Sequence, residues 1–270
     1  MSVVKLSSGM FIGMFMKGII SESVKYSIKK AIQYRANLIS WFIADLAMYT
    51  ATFLGYYFLT QKISVFGDYS ANEVLLYISC YFLINNFFAI LFSESVSRFG
   101  HNVLAGYFDY DILKPQPLIK YYVLKHLNLP AVCATPFLIG LNLYCLKLFN
   151  TTVTIQYVIS VFCGVMAMGF VFFIVYSLAL FGIRSEGISA VCIQLLSIGE
   201  KPDTVFPRIV RNVLIYGIPI FLFSAVPTRI ALNKLEFMEM VWMFVSPVFY
   251  YAVLKILLRQ GMKKYQSGVE

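Results

Sequence analysis

Charge is what this sequence has least of. Only 13% of its 270 residues are Asp, Glu, Lys or Arg, against about a quarter in soluble domains, which excludes a chain built of several soluble units. Histidine occurs twice, as His101 and His126, with no carboxylate pair or second ligand at a useful spacing. No metal centre or catalytic triad is therefore expected, and both are read as interface residues. Cys80, Cys133, Cys145, Cys163 and Cys192 lie in or near apolar runs without a C-x-x-C pair. That argues against a disulfide framework and leaves them as small buried hydrophobes. No G-x-x-x-x-G-K-S/T loop occurs, so the chain cannot cradle a nucleotide phosphate as phosphate-loop proteins do. No small-residue cleavage site follows the apolar patch MFIGMFMKGII, and no signal peptide is expected.

What the chain has in excess is apolar length. With 60% hydrophobic residues and a mean hydropathy of +0.76, it reads as an all-α, polytopic membrane protein. There is room for about six spans of some 20 residues each. Residues 10–36 mix Lys17, Lys25, Lys29, Lys30 and Arg35 with Phe11, Phe15, Ile19 and Tyr26. The segregation fits an amphipathic helix in the inner interface, and equally a basic lead-in to the first span. Spans are predicted over 37–60, 73–92, 129–148, 157–182 and 238–258. Between the last two the reading is open: 187–199 is apolar but short, 209–227 is longer but carries Arg211, Pro219 and Pro227, and the chain crosses at one or the other. The whole is one transmembrane domain.

Basic residues set the orientation. Leaving 200–235 aside, fifteen Lys and Arg fall on the side of the N-terminus and two, Lys62 and Lys147, on the other. By the positive-inside rule both termini are cytoplasmic, and a bacterial inner (plasma) membrane is the expected location. The net charge of +9 is thereby assigned to the bilayer surface, and nucleic acid is excluded as a partner.

Between two greasy runs lies the polar stretch SESVSRFGHNVLAGYFDYDILKPQP, residues 93–117. Its Gly106, Asp109, Leu113 and Pro115 resemble the Gly, Asp, Leu, Pro loop signature of permeases of type-2 ABC exporters, in the branch that includes viologen and antibiotic exporters. The tail residues Gly261, Tyr265, Ser267 and Gly268 resemble the ending of that branch. Asp111 and Lys114 depart from the signature.

The resemblance implies the transmembrane subunit of an ATP-driven exporter, in which 187–202 crosses and 203–231 re-enters as a helical hairpin. Lys201, Arg208 and Arg211 would then lie outside, whereas a fifth span near 212–231 would keep them inside. The subunit would form half of a translocation pathway beside a second permease, identical or related. Cytoplasmic ABC ATPase subunits would bind the ATP and magnesium, and this chain would hold no cofactor and hydrolyse nothing itself. On that reading 93–117 is a coupling helix gripped by the ATPase, with Arg98, His101, Gly106, Asp109, Leu113 and Pro115 as its candidate residues.

Three polar residues inside the spans are candidates of another kind. A carboxylate near lipid costs roughly 2.5 kcal/mol or more, so Asp45 should face the bundle interior, an aqueous route or a partner chain. Asn85 and Asn86 suit interhelical hydrogen bonds first and substrate contact second. Other classes stay open: an ion-coupled carrier or a polytopic membrane enzyme using Asp45, or a non-transporting scaffold or immunity protein. No internal repeat of the kind common in carriers is visible.

Overall fold

The computed structural model describes residues 35–265 apart from 64, 115, 152 and 184, together with residues 29 and 33. Most of the 10–36 segment, Pro115, Ser267 and Gly268 therefore lie outside the described residues.

The protein is an all-α membrane protein, and its apolar runs set the helices. α1 (Arg35–Lys62) contains no proline and ends on Lys62, a cation at the negative end of the helix dipole. Its 28 residues span about 42 Å, more than the hydrocarbon core requires. A two-stranded ribbon follows, β1 (Val65–Phe66) antiparallel to β2 (Tyr69–Ser70), turning on Gly67 at φ +64°. α2 (Ala71–Leu104) opens with the Glu73 carboxylate accepting the Ser70 N–H at 2.9 Å. At 34 residues it is about 51 Å long, so it does not stop where the apolar run ends at Phe92. It passes through one π-helical turn, Ala89–Ser93, and continues for about three more turns of polar helix.

α3 (Phe108–Ile112) and α4 (Leu118–Lys125) are short and follow the end of α2. α5 (Leu129–Leu148) takes Pro130 in its first turn, where the missing N–H costs nothing, and carries Pro136 inside. α6 (Ile155–Phe181) is capped by Thr154, which accepts the Tyr157 N–H at 3.2 Å. α7 (Ser185–Gly199) is shorter. α8 (Arg208–Gly217) and α9 (Ile220–Ala231) meet at 97° across Pro219, and α10 (Phe237–Lys264) closes the described chain. Five of these helices are long and apolar enough to cross a membrane, or six if the bent pair is one crossing.

α6 is the centre of the bundle. α10 lies along it, and α2, α7 and α9 pack around it. Close approach depends on glycine: a Cβ on Gly169 would sit 2.5 Å from the Phe92 ring, and one on Gly164 would sit 3.4 Å from the Phe223 backbone. Gly140, by contrast, faces open space within this chain. α1 packs on α2 and α5 along one side and is otherwise exposed.

The bent pair is a hairpin whose two ends meet. Arg211, in the first turn of α8, places Nε 3.0 Å from an Asp203 carboxylate oxygen, and Arg229, near the end of α9, pairs with the same oxygen. Its tip lies elsewhere: the Tyr250 hydroxyl donates to the Gly217 carbonyl at 2.7 Å, and Trp242 Nε1 donates to Ile215 at 3.0 Å. Glu239, which pairs with Arg229, precedes Trp242 by three residues and Tyr250 by eleven on α10, about 5 and 16 Å along the helix. The tip is thus displaced along the bundle from the ends. Every residue of α9 is buried among α2, α6 and α7.

Candidate functional site

The polar end of α2 and the segments after it build a protrusion with a hard base. α2 ends at Leu104, and Gly106, at φ +74°, supplies the left-handed step that only glycine takes without penalty. The chain then folds α3 back so that Phe108 is fully buried. Phe108 meets Phe99 edge-on at 5.5 Å, and Phe99 meets Tyr122 of α4 edge-on at 5.3 Å. Phe99 also touches Phe173 of α6. Aromatic pairs in this geometry add to plain area burial, so the protrusion is anchored on the central helix.

A polar knot lies beside the rings. Buried Asp111 accepts from Asn102 Nδ2 at 3.0 Å, from Lys114 Nζ at 2.9 Å and from the Tyr122 hydroxyl. Burial by itself would raise its carboxyl, but these donors outweigh it and hold Asp111 below the usual carboxylate range. Lys114 is likewise held above its ordinary value: burial acts downward, and the Tyr121 hydroxyl and Asp111 act upward and win. His126 at the foot of α4 is pushed down to about 4 by burial and by neighbouring Lys125, so it is neutral near pH 7.

What this base holds up is an exposed aromatic and aliphatic tip. Tyr107, Tyr110 and Leu113 are exposed, Leu113 to 82%. Of the residues singled out in the sequence, Leu113 is at that tip and Gly106 makes the turn. His101 is exposed on the last turns of α2, where its carbonyl accepts the Ala105 N–H. Arg98 pairs with Glu94 at 2.8 Å, an exposed pair one turn apart that contributes little stability. Asp109 lies beside Tyr265, whose ring packs edge-on against Phe108 at 5.2 Å. The two separated sequence features therefore touch. Gly261 lets α10 reach them, since a Cβ there would sit 2.7 Å from Leu180.

The polar residues within the spans divide. Asp45 is half-buried on α1 within electrostatic reach of Tyr49, which faces Asn85. Asn86 instead donates to Thr135 Oγ1 at 2.9 Å, bridging α2 to α5.

Two groups escaped the sequence reading. Asp111 looked like a departure from a signature and is the centre of the knot, together with Asn102 and Tyr122. The ionic cluster of Asp203, Arg211, Arg229 and Glu239 was also missed. Part of its signal was present, since Arg229 lies inside the apolar run 220–231 and needs a carboxylate partner there.

A multi-pass bundle of this kind, with a rigid polar protrusion at one end, defines the class. A family model described as an ABC-2 family transporter protein matches residues 46–268. The chain belongs to the ABC-2 transporter family: it is a multi-pass membrane permease component of an ABC transporter, a family that implies an ATPase partner. No curated protein and no solved structure matches it.

Proposed function

We propose that this chain is the transmembrane subunit of an ABC exporter of the viologen and antibiotic exporter type, driven through 93–117 by a separate cytoplasmic ATPase. The observation that carries this reading is the pairing of an exposed Tyr107, Tyr110 and Leu113 tip with a base locked by Phe99, Phe108 and Asp111. An apolar tip on a floppy loop would transmit no force. On a base continuous with α2 and packed on α6, a push at the tip moves two helices together.

In this reading both termini and the protrusion face the cytoplasm of a bacterial inner membrane, and α8 with α9 re-enters from the outer face. Its support is that Arg211 and Arg229, at the two ends of that hairpin, share Asp203. α1 buries little of itself within one chain, which favours a pathway formed with a second permease, identical or related. ATP and magnesium belong to the ATPase, and this chain performs no chemistry.

The test is co-purification from native membranes, followed by ATP-driven transport in liposomes, for the wild type and for Tyr110→Asp with Leu113→Asp. The expected result is that an ABC ATPase accompanies the wild type, whereas the double variant inserts normally but loses the ATPase or its coupling. Transport by this chain alone, without nucleotide, would overturn the proposal.

A further inference from the structure

At the foot of the protrusion, away from its tip, two lysines converge on one phenol. Lys125 Nζ lies 2.6 Å from the Tyr121 hydroxyl oxygen and 5.0 Å from the ring centre. Lys114 donates to the same oxygen from 4.2 Å off the ring centre. Both acceptor positions of that hydroxyl are then taken by cations. The charge is compensated on one side only. Asp111 pairs with Lys114 and is already engaged by Asn102 and Tyr122, while no carboxylate pairs with Lys125 among the described residues. Lys120 adds a further exposed cation on α4, and the adjoining His126 has a buried Nε2 with no partner among the described residues.

The depth of this cluster indicates what it meets. Lys125 stands four residues before α5 enters its apolar run, and the intervening Asn128 N–H donates at 3.0 Å to Ile90 in the π-turn of α2. The π-turn separates the apolar and polar parts of α2. Leu118, Ile119 and Val123 of α4 are turned against the apolar core. Lysines at such a boundary lie at headgroup level.

The geometry points to a binding site for the phosphate of an anionic membrane lipid, with Lys125 and Lys114 as the donors and Tyr121 as the platform between them. The site rests on the reading that places α4 at the inner membrane face. Its occupant would tie the foot of the protrusion to the bilayer surface while the tip stays free for another partner. Phosphate chemistry alone does not distinguish a lipid from free phosphate, but the apolar surroundings favour a diester whose chains lie in the adjoining bilayer.

The experiment uses the full chain in a mild detergent. Melting temperature is recorded against added phosphatidylglycerol, phosphatidylcholine or inorganic phosphate, for the wild type, Lys125→Gln and Lys125→Arg. Native mass spectrometry counts the lipid retained by the wild type. The expected result is a saturable rise with phosphatidylglycerol only, a midpoint weakened about fivefold in Lys125→Gln, and recovery in Lys125→Arg. An equal response to phosphatidylcholine, an unchanged midpoint in Lys125→Gln, or no phosphatidylglycerol retained by the wild type overturns the site. A full response to inorganic phosphate overturns the lipid as its occupant. No ATPase is present in this measurement, so its failure is distinguishable from failure of ATPase coupling.

Discussion

Arg229 and Asp203 form a buried ion pair that joins the end of α9 to the connection leaving α7. Arg229 also pairs with Glu239 of α10, and Asp203 takes the Tyr69 hydroxyl at 3.1 Å and Arg211. One guanidinium thus fastens the hairpin, the β-ribbon and the last helix at one end of the bundle. Removing it strands buried Glu239 and leaves Asp203 with Arg211 and Tyr69 alone, a loss of up to about 3–5 kcal/mol for buried pairs. Arg229→Met should lower the melting temperature in detergent sharply, and adding Asp203→Asn with Glu239→Gln should recover part of the loss. A single variant as stable as the wild type would show that the cluster does not hold the hairpin.

The contact between Gly169 and Phe92 sets how closely α2 and α6 approach. Since a Cβ on Gly169 would sit 2.5 Å from the ring, Gly169→Ala should cost about 1–3 kcal/mol, the usual range for overpacking. The clash is with Cγ and the two Cδ atoms of Phe92, so Phe92→Ala, which removes all three, should cost less on the Gly169→Ala chain than in the wild type. Melting curves of the two single variants and the double variant measure this coupling. Additive losses would mean that the helices shift instead of clashing.

Much of this architecture was legible as hydropathy, because a run such as 157–182 can satisfy its backbone in a bilayer only as a helix. The polar continuation of α2 to Leu104 was less visible, since it carries no apolar signal of its own, and its helicity comes from Phe99 and Val103 packing inward. Asp111 was unreadable as a buried residue. Its burial depends on Asn102 and Tyr122, nine positions before it and eleven after it, converging through a fold that periodicity does not encode. On charge grounds Lys201, Arg208 and Arg211 argue against a hairpin entered from the outer face. Arg211, Arg229 and Lys234 are each paired with a carboxylate, which no count of charges reveals.

The protonation of the knot gives a pH window. The Asp111 carboxyl is depressed in the folded protein, so its contribution is complete above the ordinary carboxylate value of about 3.9. It is lost as the pH falls through the lower folded value. Lys114 is raised, so its share is complete below the ordinary lysine value of about 10.4 and is lost as the pH rises through the higher folded one. Hydrogen-exchange protection of 105–114, corrected for intrinsic rates, should therefore stay flat from pH 5 to 9 and fall only in stronger acid or base. Asp111→Asn should be less protected at pH 7 and lack the acid step. Loss of wild-type protection between pH 5 and 6 would contradict the arrangement.

The last contact to test is between Tyr265 and Phe108, since it ties the end of α10 to α3 at the root of the exposed tip. The ring supplies the edge-on packing on Phe108, which a phenylalanine would keep. Tyr265→Phe should therefore behave like the wild type, whereas Tyr265→Ala should loosen the protrusion without disturbing insertion. Protease cleavage between residues 105 and 117 reads the first effect directly, and it should rise several-fold in the alanine variant if an aromatic contact of about 0.5–1.5 kcal/mol is lost. On the coupling role proposed for 93–117, the same variant with its ATPase should hydrolyse ATP with less transport per turnover, because a push at the tip would be dissipated in a loosened base. Equal cleavage in Tyr265→Ala and the wild type would remove the tail from the structure of the protrusion. An equal defect in Tyr265→Phe would move its role from the ring to the hydroxyl.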